Sequence, residues 1–244
     1  MAIILFTDFG FAGPYVGQLK SVLEQSCPDI QVIDLMHDAP ICNPKASSYL
    51  LPAFTEHLPA GTVVLSVVDP GVGGCRRPVV IEAFDKYFVG PGNGLFGVLL
   101  QLDSSSKAYE IQSLDEGVSA TFHGRDIFAP IAAKLAVQQN LDNELRELEK
   151  SSLPVLGPVD LAEVVYVDHF GNAMTGLRAN TLAKTCKLSV KGELLTYANT
   201  FSDVAFGKPF WYVNSSGLIE IAINCGRAID YFAIDIGYTV DILK

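Results

Sequence analysis

The chain has 244 residues, 17 of them basic and 27 acidic, with a formal net charge of −10. That balance excludes a protein that tracks nucleic-acid phosphates with a basic surface, and it favours a cationic small molecule, although it serves solubility equally well. Hydrophobic residues at 49 % and charged ones at 18 % exclude a disordered chain and suffice for one large core or two modest ones.

No apolar run reaches the length of a membrane span, so no membrane partner is expected. The first apolar run, Ile3-Ile4-Leu5-Phe6, is too short for a signal peptide and soon meets Asp8. Five scattered cysteines (Cys27, Cys42, Cys75, Cys186, Cys225) are odd in number and lack CxxC spacing. They argue against a zinc site or a disulfide framework and point to the reducing cytoplasm.

Residues 3–6 read as a buried strand, with Thr7-Asp8-Phe9-Gly10 placing a carboxylate at its end. Tyr15, Val16, Leu19, Val22 and Leu23 recur at helical spacing over residues 14–26, and Cys27-Pro28 stops that helix. A strand over 30–35 leads to Met36-His37-Asp38, a helix covers 44–56, and a strand covers 63–68. Helices set between such strands predict βαβ units and a mostly parallel sheet.

The strand over 63–68 runs into Asp69-Pro70-Gly71-Val72-Gly73-Gly74-Cys75-Arg76-Arg77. A carboxylate where a buried strand ends, on a glycine-rich loop, stands at the usual address of a ligand site in an open α/β sheet. Taken alone, the stretch serves equally well as a tight turn with a solvated Asp69–Arg76 pair.

Strands over 79–83 and 87–89 follow, then Gly90-Pro91-Gly92-Asn93-Gly94-Leu95, a turn by composition. After a short strand over 108–111, Ser119 to Asp126 leads into a helix over 127–136. His123 and Gly124 thus fall near a helix N-terminus, where free N–H groups can meet an anion. Read singly, Ser119 and Thr121 with Asp126 are helix caps and His123 is a packed surface residue.

Periodicity breaks down over 141–157, which places the domain boundary near Gly157-Pro158: an α/β domain over 1–156 and a second domain over 157–244. The short strands of the latter, over 159–167, 188–190, 210–213, 218–223 and 238–243, predict a small antiparallel β-barrel or sandwich. Two polar stretches stand out there: Asp168-His169-Phe170-Gly171-Asn172 and Asn214-Ser215-Ser216-Gly217, the latter just before the strand that holds Glu220. Each alone reads as hairpin chemistry.

Together, these motifs are far more specific. Thr7-Asp8-Phe9-Gly10, Ile33-Asp34-Leu35-Met36-His37, Asp69-Pro70-Gly71-Val72-Gly73 with Arg76-Arg77, and Thr121-Phe122-His123-Gly124-Arg125-Asp126 occur in order, followed by the two stretches of the second domain. In this the chain resembles the S-adenosyl-L-methionine (SAM) hydroxide adenosyltransferases, or SAM hydrolases, relatives of the fluorinases and chlorinases. The resemblance implies an N-terminal α/β domain, a C-terminal β-barrel, and a homotrimer that binds SAM between one subunit's N-terminal domain and its neighbour's C-terminal domain.

It also implies cleavage of SAM by water into adenosine and L-methionine, with no cofactor and no metal. The family's catalytic set falls on Asp69, Arg76 and His123, and its ribose-binding carboxylate on Asp8. Further substrate contacts fall on Phe122, Gly124, Asp168, Phe170, Asn172, Asn214 and Ser215, with Gly124 at the halide-binding position of the halogenating relatives. The chain departs from the pattern at Gly13, at Gly92-Asn93-Gly94 and at Ser216, positions that bear on how the methionine end is gripped.

The residue types suit the reaction. Methionine leaves as a neutral thioether, so no general acid is needed. A water must be held in line behind C5′ of the ribose, and positioning with desolvation carries most of the rate gain. Asp69 can accept a hydrogen bond from that water, His123 can orient it or take its proton, and Arg76 can stabilise a hydroxide by charge. Asp8 can accept from both ribose hydroxyls. The rival readings are halide-dependent adenosyl transfer, a non-catalytic SAM or adenosine sensor, and metal-dependent hydrolysis.

Overall fold

Strands whose side chains are buried on both faces form the centre of the first part of the chain. In the computed structural model, which describes residues 1–112 and 117–243, β1 (Ala2–Thr7) is buried from Ile3 onward and β3 (Val63–Val67) throughout. Such runs of Ile, Val and Leu suit parallel strands covered by helices on either side. β1 pairs in parallel with β2 (Gln31–Met36) and with β3, and β3 pairs in parallel with β5 (Lys86–Pro91).

Beyond β5 the sheet turns antiparallel, through β4 (Pro78–Ala83), β6 (Lys107–Ile111) and β7 (Leu145–Leu148), in the order β2-β1-β3-β5-β4-β6-β7. The parallel part expected from the sequence therefore holds four of the seven strands. The reversal is local: Phe84 and Asp85 both take positive φ, 52° and 56°, and close a two-residue hairpin between β4 and β5.

Helices α1 (Tyr15–Ser26), α2 (Pro44–Thr55) and α3 (Gly97–Leu102) provide connections, and α4 (Ala129–Ala136) continues a π-helical turn over Gly124–Phe128. Leu19 and Leu23 of α1 and Ile131, Ala132 and Ala136 of α4 pack with Ile3, Leu5, Val63 and Leu65 of the sheet and with Phe128 in one core. Because Thr7 lies opposite Val67 in the parallel register, Asp8 and Asp69 leave adjacent strands at the same, C-terminal end.

The chain forms two units, one of Met1–Ser48 with His57–Leu156 and one of Tyr49–Glu56 with Gly157–Lys244, so the division passes through α2. In the second unit Tyr49 donates its hydroxyl to the Pro158 carbonyl at 2.7 Å, and burial, with help from Glu163 and Asp160, pushes its pKa up to about 12. The unit holds two antiparallel sheets. One runs β12 (Pro209–Val213), β13 (Leu218–Ile223), β9 (Ala173–Arg178), β8 (Leu161–Val167); the other runs β11 (Glu193–Leu195), β10 (Lys187–Val190), β14 (Asp241–Leu243).

Among the described residues, isolated bridges at Glu163–Thr239 and Tyr197–Trp211 join the strand systems, not continuous ladders, so the expected barrel is not closed. Trp211, fully buried among Val164, Ile219, Ile221 and Phe232, donates its indole N–H to the Cys186 carbonyl at 3.3 Å. A short helix, α5 (Ala228–Phe232), ends at Ala233 in the left-handed region.

Candidate active site

The loop after β3 folds back so that Arg76 meets Asp69. The Arg76 Nε lies 3.1 and 3.0 Å from the two carboxylate oxygens, and Nη2 lies 2.5 Å from Oδ2. Both side chains are nearly buried, at 9 % exposure for Arg76 and 5 % for Asp69. Away from bulk water, a guanidinium–carboxylate pair is screened little and held in a fixed geometry.

The same Nη2 lies 2.7 Å from Nδ1 of His123. A guanidinium only donates, so Nδ1 is the acceptor here, and the neutral ring carries its proton on Nε2. Burial first, and then the Arg76 charge, hold the His123 pKa below its ordinary 6.5, against the pull of Asp69 and Asp126. Three residues from two distant loops therefore form one contiguous Asp69–Arg76–His123 cluster.

One feature brings those loops together, and a second braces the start of the Asp69 loop. Gly73 has φ +76°, and a Cβ there would lie 2.3 Å from the Ala120 carbonyl oxygen; only glycine lets the Asp69 loop come so close to the turn before His123. The Asn93 side chain donates to the Val68 carbonyl at 2.9 Å and accepts from the Leu95 N–H at 3.2 Å, bracing the peptide next to Asp69. The sequence marks Asn93 as a turn residue within a departure from the family pattern, and nothing local shows that its turn abuts the end of β3.

The helix start differs from the expectation. Backbone N–H groups of Arg125 and Asp126 both donate to the Phe122 carbonyl, at 3.2 Å each, which withdraws those two donors from any anion site. Asp126 accepts from the Ser119 N–H at 2.9 Å and pairs with Arg125 at 2.6 Å, so it holds the preceding turn; no side chain caps the helix at His123. Gly124 lies under aromatic rings: a Cβ there would sit 3.3 Å from Phe9 and 3.4 Å from Phe122. Phe9, Tyr15 and Phe122 meet edge-on or tilted, with centroids 5.5 to 6.1 Å apart.

Asp8 accepts the Cys42 N–H at 2.9 Å. Burial raises its pKa above the ordinary carboxylate value, opposed by that N–H and aided by the Asp69 charge. All the predicted residues of the first unit thus lie on the segments that follow β1 and β3 or at the helix start.

The second unit holds the others. Asp168 accepts Asn172 twice, from its backbone N–H at 2.8 Å and from its side-chain amide at 2.9 Å. Asp168, Phe170 and Asn172 line a cavity of about 560 Å³ with Tyr212, Cys225 and Arg227. Phe170 is 72 % exposed.

Asn214 is otherwise engaged. Its side-chain oxygen accepts from Ser216 and Leu218, and its amide donates to Glu220 at 2.7 Å, leaving exposed Ser215 at the tip of the turn. Glu220, placed by the sequence only within a strand, is 1 % exposed and takes the Tyr212 hydroxyl at 2.5 Å as well. Burial raises the Glu220 pKa against these donors, and burial together with Glu220 raises that of Tyr212. A carboxylate at an inward position of a fully buried strand is the signal that could have marked it.

The sequence pattern of the SAM hydroxide adenosyltransferase N-terminal domain matches residues 3–144, and that of the C-terminal domain matches residues 162–241. The chain belongs to the SAM hydroxide adenosyltransferase family. It is 38 % identical to the (R)-S-adenosyl-L-methionine hydrolase of Salinispora tropica, over 95 % of this chain and 93 % of that one. It is 36 % identical to the enzyme of the same name from Thermus thermophilus, over 99 % of both chains.

Among solved structures, an uncharacterised conserved protein of Thermotoga maritima superposes with a TM-score of 0.89 at 30 % identity, covering 99 % of this chain and 100 % of that one. In this hydroxide adenosyltransferase, no helix among the described residues is long and apolar enough to cross a membrane.

Proposed function

We propose that the protein hydrolyses SAM to adenosine and L-methionine, by attack of a water at ribose C5′ held by Asp69 and His123. The observation that carries the mechanism is the Arg76–His123 contact, which leaves the imidazole a donor at Nε2. Taking a proton at Nε2 would require the other tautomer, with Nδ1–H facing the guanidinium donor. Of the two roles open to His123, orientation of the water therefore fits, and Asp69 becomes the first proton acceptor.

The balance is simple. The new C5′–O bond takes a water oxygen, the C–S bond breaks with its pair going to sulfur, and one proton is released. The thioether leaves uncharged, so neither cofactor nor metal is assigned a step. Asp8 takes the ribose diol, next to the aromatic group of Phe9, Tyr15 and Phe122.

Asp168, Phe170, Asn172 and Ser215 belong to a second half-site, which a neighbouring subunit supplies in a homotrimer. Exposed Phe11 and Ile41 on the segments around Asp8 support assembly, as does exposed Phe170 in the second unit taken by itself, since large exposed apolar side chains mark contact surfaces. The unpaired cysteines support a reducing, cytoplasmic setting.

Incubation with SAM in H₂¹⁸O, with the products separated and weighed by mass spectrometry, should place ¹⁸O in the adenosine 5′-hydroxyl. Unlabelled adenosine, or 5′-chloro-5′-deoxyadenosine formed in chloride, would overturn the reading. The Asp69 carboxylate, which repels a halide where the water must sit, speaks against the chloride product.

A further inference from the structure

We infer that His37 is a positioning residue for Asp8, fixing the segment after β1 through a chain of side chains from Thr7 to Lys20. The inference rests on the reading of Asp8 as the carboxylate that takes the ribose diol. Thr7 and His37 are 0 % and 1 % exposed. The Thr7 hydroxyl lies 2.8 Å from Nδ1 of His37, and the other ring nitrogen lies 3.0 Å from Asp34 Oδ1. That second contact is too oblique to be a well-formed hydrogen bond, so it acts as an electrostatic contact.

Asp34 Oδ2 accepts Lys20 of α1 at 2.6 Å. Burial works against the ionised carboxylate, but Lys20 and His37 together hold the Asp34 pKa below its ordinary value. One proton arrangement of the neutral ring suits these contacts. Nε2–H of His37 faces Asp34, Thr7 donates its hydroxyl to Nδ1, and the Phe9 N–H donates to Thr7 Oγ1 at 3.3 Å.

The backbone follows the same path. The Gly10 N–H donates to the His37 carbonyl at 2.6 Å, and the Ala39 N–H donates to the Thr7 carbonyl at 3.1 Å. The Cys42 N–H, from the same segment after β2, holds Asp8 itself. The segment bearing Asp8 is thus tied on both sides of that residue to the segment bearing His37. Such ties matter because a carboxylate meeting two vicinal hydroxyls must be held to about 0.5 Å. A core histidine that merely fills space would have no need for a hydroxyl on one nitrogen and a carboxylate beside the other.

The test compares SAM with its 2′-deoxy analogue. Loss of a hydrogen bond to a charged group lowers kcat/KM by about 10- to 100-fold, so wild type should prefer SAM by at least about tenfold. Asp8→Asn should remove most of that preference. His37→Phe should raise KM for SAM by about tenfold with kcat within about threefold, and bring the preference to within about threefold. The double variant should be no worse than Asp8→Asn alone.

Asp34→Asn, at the 40 % exposed end of the chain, tests the same path should His37→Phe fail to fold, and should reduce the preference by about threefold. A folded His37→Phe or Asp34→Asn enzyme that keeps the full preference overturns the inference. An Asp8→Asn enzyme that keeps it overturns the ribose reading instead.

Discussion

The polar cluster of the first unit and that of the second are built on opposite plans. Asp69 faces an ionic partner along one edge, with Oδ1 receiving one long contact at 3.1 Å and Oδ2 two shorter ones. Glu220 is met by neutral donors on both oxygens, the Tyr212 phenol on one and the Asn214 amide on the other. A carboxylate whose partners lie on one side still has lone pairs for a substrate water; one ringed by donors is fixed and shapes a wall. Under the proposed mechanism the first cluster carries the reaction and the second gives shape.

Removing the open carboxylate should have the largest effect. Asp69→Ala is expected to lower turnover by about 10³-fold, about 4 kcal/mol, while shifting SAM affinity only a few-fold, as read by single-turnover kinetics and equilibrium binding. Equal losses in rate and affinity would erase the contrast, since Asp69 would then be a wall as well.

The enclosed carboxylate should answer in stability. Glu220→Ala strands the Tyr212 hydroxyl and the Asn214 amide, and is expected to cost about 1 to 3 kcal/mol in urea unfolding. Because burial raises the Glu220 pKa, the native state holds an extra proton between pH 4.5 and its higher folded value. The contribution of Glu220 to stability should therefore fall as pH rises through that window, and the difference between wild type and variant should carry that slope.

The smallest effect concerns His123. Its depressed pKa keeps the ring neutral down past pH 6.5, so the acid limb of kcat/KM should lie below that value. In the same interval the unfolded chain binds the proton that the native ring refuses, so this group's contribution makes stability rise with pH. An acid limb at or above 6.5 would mean that burial and Arg76 together do not hold the ring neutral in solution.

Much of the first unit was legible because burial on both faces writes itself as continuous Ile, Val and Leu, and because Cys27-Pro28 ends α1 as expected. The β4–β5 reversal was hidden because Phe84 is not a usual turn residue, and β7 because Arg146 and Glu147 expose their side chains at a sheet edge. Helix α3 lay behind a glycine-rich turn, and β9 behind the polar run after Asp168. The expected strand over 238–243 shrinks to Asp241–Leu243, since Tyr238 and Val240 bond individually to residues of β8. For the site, residue types and order were readable, but the tautomer of His123, the brace at Asn93 and the engaged state of Asn214 arise from contacts between distant segments.

Trp211 is the only tryptophan in the chain, and it lies wholly inside the second unit. Indole emission is therefore a built-in reporter for that unit alone, whereas far-ultraviolet ellipticity averages over both. The two signals followed along one thermal scan tell whether the halves melt in a single transition, without attaching any label.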